Sequence, residues 1–312
     1  MIGYDRLGSN GRMGNQLFQY AALRGIAEHH GYDWVIPPDD APNQSNYGMH
    51  EAFTIPQEHV GFINPNISMQ AIYSDQTIQM MNPGVQTVQE KSYGFDKELF
   101  DNFQDGTNLD GYLQSYKYFE NIRENLLEEL TFKPTILEPC KEFLSNFEKV
   151  IFLHVRRGDA TRTEKHLDMF PMPTWEYYEE ALSHFDDDAY VFVTSDDVEW
   201  CQEQDFFSDD RFLIRETVEL YEHNHRDGDG EYHRSCVPHT DMCLMSLCNG
   251  GILSRSTFSW WGAYLIKNPT QPIVAPKPFQ YYKPAYGIES HTVDESFLIP
   301  DNWITVSKGI RG

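Results

Sequence analysis

Apolar residues at positions 17, 18, 20, 21, 23 and 26 recur with the 3.6-residue period of a helix. They predict one that runs to about His30 and is stopped by Gly31. Tyr32–Ile36 is a short apolar run closed by Pro37-Pro38, and it reads as a strand. A glycine-rich opening (Gly8, Gly11, Gly14), then a helix, then a strand, is how an α/β layer begins. From about Asp39 to Asn108 the period lapses. Pro, Asn, Gln and Tyr are scattered there, so the segment reads as an irregular insertion carrying short elements. Order returns with Leu109–Gln114 and a helix-like stretch over 121–130.

The second half alternates more cleanly. Val150–Val155 is a continuous apolar strand. Thr174 stands where it can cap a helix with Trp175, Tyr178, Ala181, Leu182 and Phe185 on one face. Strands follow at Tyr190–Thr194 and Arg211–Ile214, then a helix over Asp241–Cys248 that stops at Asn249-Gly250-Gly251. Ile252–Ser254 is a strand, Phe258–Ile266 a helix and Ile273–Ala275 a strand. Buried strands alternating with helices imply a parallel, doubly wound sheet, with ligands bound beyond the carboxyl ends of its strands.

A length of 312 residues suits two domains, with Pro134 and Pro139 marking a joint between the halves. The expected division is an α/β domain over 1–147 with the irregular insertion at about 39–108, a second α/β domain over 148–285, and a tail over 286–312 with the option of packing back on the first domain.

Composition narrows the partners. A formal net charge of -24 disfavours nucleic acid and anionic membranes, since phosphate backbones are held by basic side chains. It also makes a local basic cluster more informative. No apolar run approaches the roughly 20 residues that span a bilayer, and Met1–Asn10 lacks the pattern of a secretory signal. Five cysteines, an odd number without a CxxC pair, argue against a disulfide framework or zinc knuckle. Cys243 and Cys248 fit a core, and the expectation is a soluble chain in a reducing, cytoplasmic compartment, with peripheral membrane association left open.

Four constellations carry candidate chemistry. The first is His154-Val155-Arg156-Arg157-Gly158-Asp159, where the buried strand runs out. Guanidinium groups grip phosphate oxygens through paired, charge-assisted hydrogen bonds. Neighbours on an extended backbone point to opposite faces, so one arginine reaches the ligand and the other is expected to tie down the loop through Asp159. The plain alternative is a surface Arg–Asp pair around a turn at Gly158. The second constellation is Ser254–Gly262, with Ser256, Thr257 and Phe258 at a strand-to-helix junction; such a helix start can seat an anion, or Ser256 is only an N-cap and Trp260-Trp261 only core. The third is Gly8–Gln16, which has the glycines of a phosphate-cradling loop but lacks the Lys-Ser/Thr of a P-loop. In the fourth, Thr194-Ser195-Asp196-Asp197, a carboxylate after a strand either pairs with a guanine edge or caps the next helix.

The stretches GRMGNQLFQYAA, LDGYLQSYKYF, HVRRGD, VFVTSDDVEWC and MSLCNGGILSRSTFSWWGAYL resemble those of the α-1,2-fucosyltransferases, glycosyltransferase family 11, the blood-group-H type of enzyme. The resemblance runs from Gly11 to about Pro276. It implies a GT-B-like fold, two facing Rossmann-type domains with a cleft between them, and inverting transfer of L-fucose from GDP-β-L-fucose to the 2-OH of a terminal galactose in an oligosaccharide acceptor. It implies no metal and no cofactor beyond that donor. Arg156 matches the arginine that contacts the donor β-phosphate, with His154, Arg157 and Asp159 completing its motif. Ser256, Thr257 and Phe258 match the segment lining the diphosphate, Asp196 the reader of guanine, and Gly14 and Asn15 the glycine–asparagine block beside the reacting centre. Asp159 is also a candidate general base, or else it orients an arginine. The resemblance leaves the oligomeric state open.

Other readings are a non-catalytic GDP-sugar or glycan-binding protein on the same scaffold, a fucosyltransferase of different linkage, and a GDP-sugar epimerase, for which the YxxxK pair is missing. Asp186-Asp187-Asp188 and Asp227-Gly228-Asp229 are DxD-like, yet both read as polar turns, and His223, His225 and His233 have only loosely ligand-like spacing.

Overall fold

The computed structural model describes residues 1–9, 11–39, 48–63, 84–91, 94–158, 171–214, 238–279 and 295–310. The chain falls into two compact units. Residues 1–133 and 296–300 form one, and residues 134–295 and 301–312 form the other. Each is a parallel sheet with helices, the α/β class that the sequence implies.

The first unit is built on strands β1 (Ile2–Gly3), β2 (Trp34–Val35), β3 (Gln86–Gln89) and β4 (Thr107–Asp110), in the order β2-β1-β4-β3. All its pairings are parallel. β1 is too short to display a period of two, although it lies inside the sheet. β3 shows none because it is a polar, mostly exposed edge strand, and polar edges resist further pairing. Helix α1 (Met13–His30) buries fourteen of its residues, Met13, Gly14 and every residue from Gln16 to Ala27, and so is shielded nearly all round. Gly31 ends it in the left-handed conformation, with φ 69°, its N–H directed at the carbonyls of Ala27 and Glu28. The buried Arg24 is neutralised by Glu129, which also accepts from Tyr20 at 2.9 Å. Short helices α2 (Gly48–Ala52), α3 (Lys97–Asn102) and α4 (Arg123–Glu129) complete the unit. Phe297 joins it from the far end of the chain, its carbonyl accepting from Ser115 Oγ and Tyr116 N.

The second unit opens with helix α5 (Pro134–Leu144). Both prolines expected at a joint lie in this helix: Pro134 is its first residue, where the missing N–H costs nothing, and Pro139 is inside it. The sheet has β5 (Val150–Val155), β6 (Tyr190–Ser195), β7 (Phe212–Ile214), β8 (Gly250–Ile252), β9 (Ile273–Pro276) and β10 (Ile304–Val306), in the order β10-β9-β8-β5-β6-β7. Every pairing is parallel, and β5 is buried along its whole length. Ile151, Leu153 and Val155 share a core with Tyr177, Tyr178 and Ala181 of α6 (Trp175–Leu182). Phe192 on β6 meets Phe143 of α5. Helices α7 (Val198–Gln202), α8 (Pro238–Leu247) and α9 (Thr257–Tyr264) complete it. Thr174 stands at the N-cap of α6, but its side chain makes no cap bond; its N–H donates to Gly309 O at 3.0 Å. Cys140, Cys201, Cys243 and Cys248 are buried free thiols. Among the described residues no helix is long and apolar enough to cross a membrane.

Close packing is tightest where α1 crosses the turn at Tyr118. A Cβ on Gly25 would lie 1.8 Å from the Tyr118 carbonyl oxygen, which is backbone and cannot rotate away. Gly25→Ala is therefore expected to cost about 3 kcal/mol of stability in urea unfolding. A loss under about 0.5 kcal/mol would contradict this packing.

Candidate active site

The site of the second unit is built at the carboxyl ends of β5, β6 and β8, which are neighbours in the sheet. At the end of β5 the side chains keep the alternation of a strand. His154 is buried, 5% exposed, with Nδ1 2.6 Å from Ser254 Oγ. Burial, aided by the Arg156 charge, holds its pKa down at about 3, so the ring is neutral at ordinary pH. Arg156 is half-buried, and its guanidinium donates to the Arg255 carbonyl at 3.4 Å. Arg157 goes the other way. Its Nε donates to Asp197 Oδ2 at 2.7 Å, and its guanidinium lies 3.8 Å from the centre of the Trp200 ring. The two arginines thus diverge as their adjacency predicts, but Arg157 is committed to Asp197 and Trp200; Asp159 lies outside the described residues.

The turn between β8 and α9 supplies the second wall. Ser256 is the N-cap of α9, its hydroxyl accepting from Phe258 N at 3.2 Å. Its capping role is therefore real, and Trp260 and Trp261 are indeed core, both 0% exposed. Thr257 and Phe258 form the first turn, half-buried, and the Phe258 ring sits 5.8 Å from that of His154. The amino-terminal turn of α9, with its positive dipole end, therefore opens beside the strand ends. Arg255 is anchored by its Nε to Pro278 O at 3.0 Å, which steadies the carbonyl that Arg156 meets.

At the end of β6 the two aspartates divide the roles. Asp197 caps α7, accepting from Trp200 N at 3.2 Å. Asp196 accepts from the Arg157 backbone N–H at 2.6 Å, and a Cβ on Gly158 would come within 2.2 Å of its Oδ2. Its carboxylate thereby secures the turn that follows β5, with Gly158 admitted only because it has no side chain.

Several positioning residues were not singled out by sequence reasoning. Tyr177 donates to Leu253 O at 2.6 Å and Tyr178 to His154 O at 3.2 Å, so two buried phenols fix the carbonyl just past β8 and the penultimate carbonyl of β5. Ser254 orients the imidazole. The usable signal was a pair of adjacent tyrosines on a helix whose apolar stripe needs only one of them.

Gly14 and Asn15 belong to the first unit, in the first turn of α1. Asn15 Oδ1 accepts from Gln114 Nε2 at 3.0 Å, and Gly11, at φ +84°, would clash with the Asn15 amide if it bore a Cβ. In this unit Asp110 ends β4 and Asp5 follows β1, both buried, with Arg6 on Asp110 at 3.3 Å.

Among the described residues no group of three or more His, Cys, Asp or Glu side chains could hold a metal ion. In the Asp186–Asp188 run, Asp186 and Asp188 are exposed and bridged by Lys149 at 3.2 and 3.1 Å. Asp227, Asp229, His223, His225 and His233 lie outside the described residues.

The buried imidazole ties stability to pH. Below about 6.5 the unfolded chain binds a proton that folded His154 refuses down to about pH 3, so stability is intact above 6.5 and falls as pH drops through that window. Between pH 7 and 5 the loss from this residue is expected to be about 2 kcal/mol. Urea unfolding of the protein and of His154→Gln at both pH values isolates it: the variant should lose less by that amount, and equal losses would refute the assignment.

Residues 4–286 match the sequence profile described as "Glycosyl transferase family 11". The chain is 24% identical over 314 residues to an alpha-1,2-colitosyltransferase of Escherichia coli, covering 96% of this chain and 97% of that protein. It is 26% identical over 276 residues to galactoside alpha-(1,2)-fucosyltransferase 1 of Leontopithecus chrysomelas, covering 84% of this chain but 65% of the relative, just under two thirds of its length. Among solved structures, NodZ alpha-1,6-fucosyltransferase soaked with GDP-fucose superposes at a TM-score of 0.49 and 16% identity, over 85% of this chain and 92% of that one. The profile takes in both arginines, the β8–α9 turn and the Gly14-Asn15 helix start, and on that span the chain belongs to glycosyl transferase family 11.

Proposed function

We propose that this protein transfers L-fucose from GDP-β-L-fucose to the 2-OH of a terminal galactose in an acceptor glycan, with inversion at the anomeric carbon. The observation that carries the reading is Arg156, half-buried at the end of the central strand and directed to the turn that begins α9. The names of the family and of its galactoside fucosyltransferase members support it. In this reading the second unit holds the donor and the first serves the acceptor.

The chemistry follows from charge. As the anomeric C–O bond breaks, the sugar gains oxocarbenium character and the GDP oxygens gain negative charge. A fixed guanidinium and the amino-terminal turn of α9 stabilise that charge with little reorganisation. Neutral His154 adds no competing positive charge and, through Ser254, keeps β5 in register with the turn. Asp196 fixes the Arg157–Gly158 turn and is the candidate reader of the guanine edge. The acceptor hydroxyl attacks from the face opposite the leaving group, with Asp159 as the candidate base.

Colitosyl transfer is the second reading, favoured by the relative that this chain matches over 97% of its length. A glycan array assayed with GDP-fucose and GDP-colitose separates the two, with product linkage read by NMR. Transfer of neither sugar would defeat both.

Arg156→Ala is expected to lower transfer by about 10²–10³-fold or more while leaving the melting temperature nearly unchanged. Full activity would remove the leaving-group role. Since the guanidinium and helix start carry the charge of the departing diphosphate, activity should be the same in EDTA as in added Mg²⁺; a strict requirement for a divalent cation would contradict this.

A further inference from the structure

The turn after β4 spends strain to hold one aromatic ring outward. Gly111, Tyr112 and Leu113 follow directly on Asp110, at the carboxyl end of a parallel strand, where open α/β sheets present their ligand-binding loops. The buried Tyr4 phenol accepts from Gly111 N–H at 3.0 Å and donates to the Gly111 carbonyl. One oxygen of Glu90, just past β3, accepts from the N–H groups of both Tyr112 and Leu113, each at 3.0 Å. Gly111 has φ 143°, and a Cβ there would lie 2.5 Å from the Glu90 Cβ. Leu113, at φ 50°, is the only non-glycine residue of positive φ among the described residues, and its side chain is wholly buried. A left-handed leucine costs about 1–2 kcal/mol, which persists only where surrounding contacts impose it. Next along, Gln114 is tied to Asn15.

Between these anchors the Tyr112 side chain alone stands out, 37% exposed. Of the other large apolar side chains that are exposed among the described residues, Met1 is a terminus and Tyr190 rests on Phe147. An aromatic ring whose backbone is already immobilised loses little entropy on binding. Its negative π-face suits the partly positive C–H face of a pyranose, and its hydroxyl suits a sugar hydroxyl.

We propose that Tyr112 is the stacking platform for the terminal sugar ring of the acceptor, and that Glu90 is the residue that positions it. The inference rests on the glycosyl-transfer reading above. Its test uses the full chain with GDP-fucose, lactose as the acceptor probe, and a panel of further galactosides if lactose is not turned over. Tyr112→Leu should raise the acceptor KM about tenfold, whereas Tyr112→Phe, which keeps the ring, should stay within about twofold of the parent protein. The GDP-fucose dissociation constant, measured calorimetrically, and the melting temperature should not change in either variant.

An unchanged acceptor KM in Tyr112→Leu, in an enzyme that does transfer fucose, overturns the platform and leaves the transferase reading intact. Equal weakening of donor and acceptor by Tyr112→Leu also overturns it, since the ring would then serve the donor or the fold. No transfer to any galactoside by the parent protein overturns the reading on which the proposal depends, and the proposal with it.

Discussion

Strand β5 has no face turned to water, and the second unit is arranged around what that burial demands. All six of its residues are buried, with Ile151, Leu153 and Val155 packed in the α6 core, β6 paired along its whole length and β8 paired at Ile151, Phe152 and Leu153. A polar residue in such a strand needs a partner or must lose its charge. His154 does both: it is tied to Ser254 and held neutral. That single contact sets β5 against the turn leading into α9, and the direction of Arg156 follows from it. Gly251 is part of the same constraint, because a Cβ there would lie 2.1 Å from the Phe152 ring.

The protein is strongly acidic, yet the proposed donor site must hold an anion. Local geometry resolves the conflict. Arg157 is taken up by Asp197 and Trp200, which braces the loop. Asp196 accepts from the Arg157 backbone N–H and so fixes the turn that follows β5. A preorganised guanidinium in a half-buried position acts more strongly than one in water, since screening falls as a charge is buried. The mean field of the surface therefore matters less than the few ångströms around one side chain.

The first unit links several of its buried and half-buried polar groups into sets. Arg24, Glu129 and Tyr20 form one, and Asp5 with Asn108 another. Such sets are intolerant of losing a member, because the partner is then left charged or unpaired in the interior. Tyr4 and Glu90 belong to this class, and they hold the one exposed ring of the Gly111–Leu113 turn. Rigid scaffold and solvent-facing contact are here a few residues apart.

Local order was written plainly in the chain. The span of α1 and its Gly31 stop, the apolar run of β5, the N-cap at Ser256 and the divergence of Arg156 from Arg157 all follow from period, capping chemistry and alternation, which act within a few residues. The polar edge strand β3, the two-residue β1 and the helical setting of Pro139 left no such mark, because their stability comes from neighbours distant in the chain. The same holds for the roles of individual side chains. Sequence brought Asp196 and Asp197 forward as a pair, but only packing assigned one to the Arg157 backbone and the other to the α7 cap and the Arg157 guanidinium. It likewise could not disclose that Tyr177 and Tyr178 brace two strand ends, nor that Leu113 is forced left-handed so that Tyr112 can stand clear. Periodicity and capping are local and can be read along a line; hydrogen bonds across a sheet join residues tens of positions apart, and their partners exist only once the chain has closed on itself.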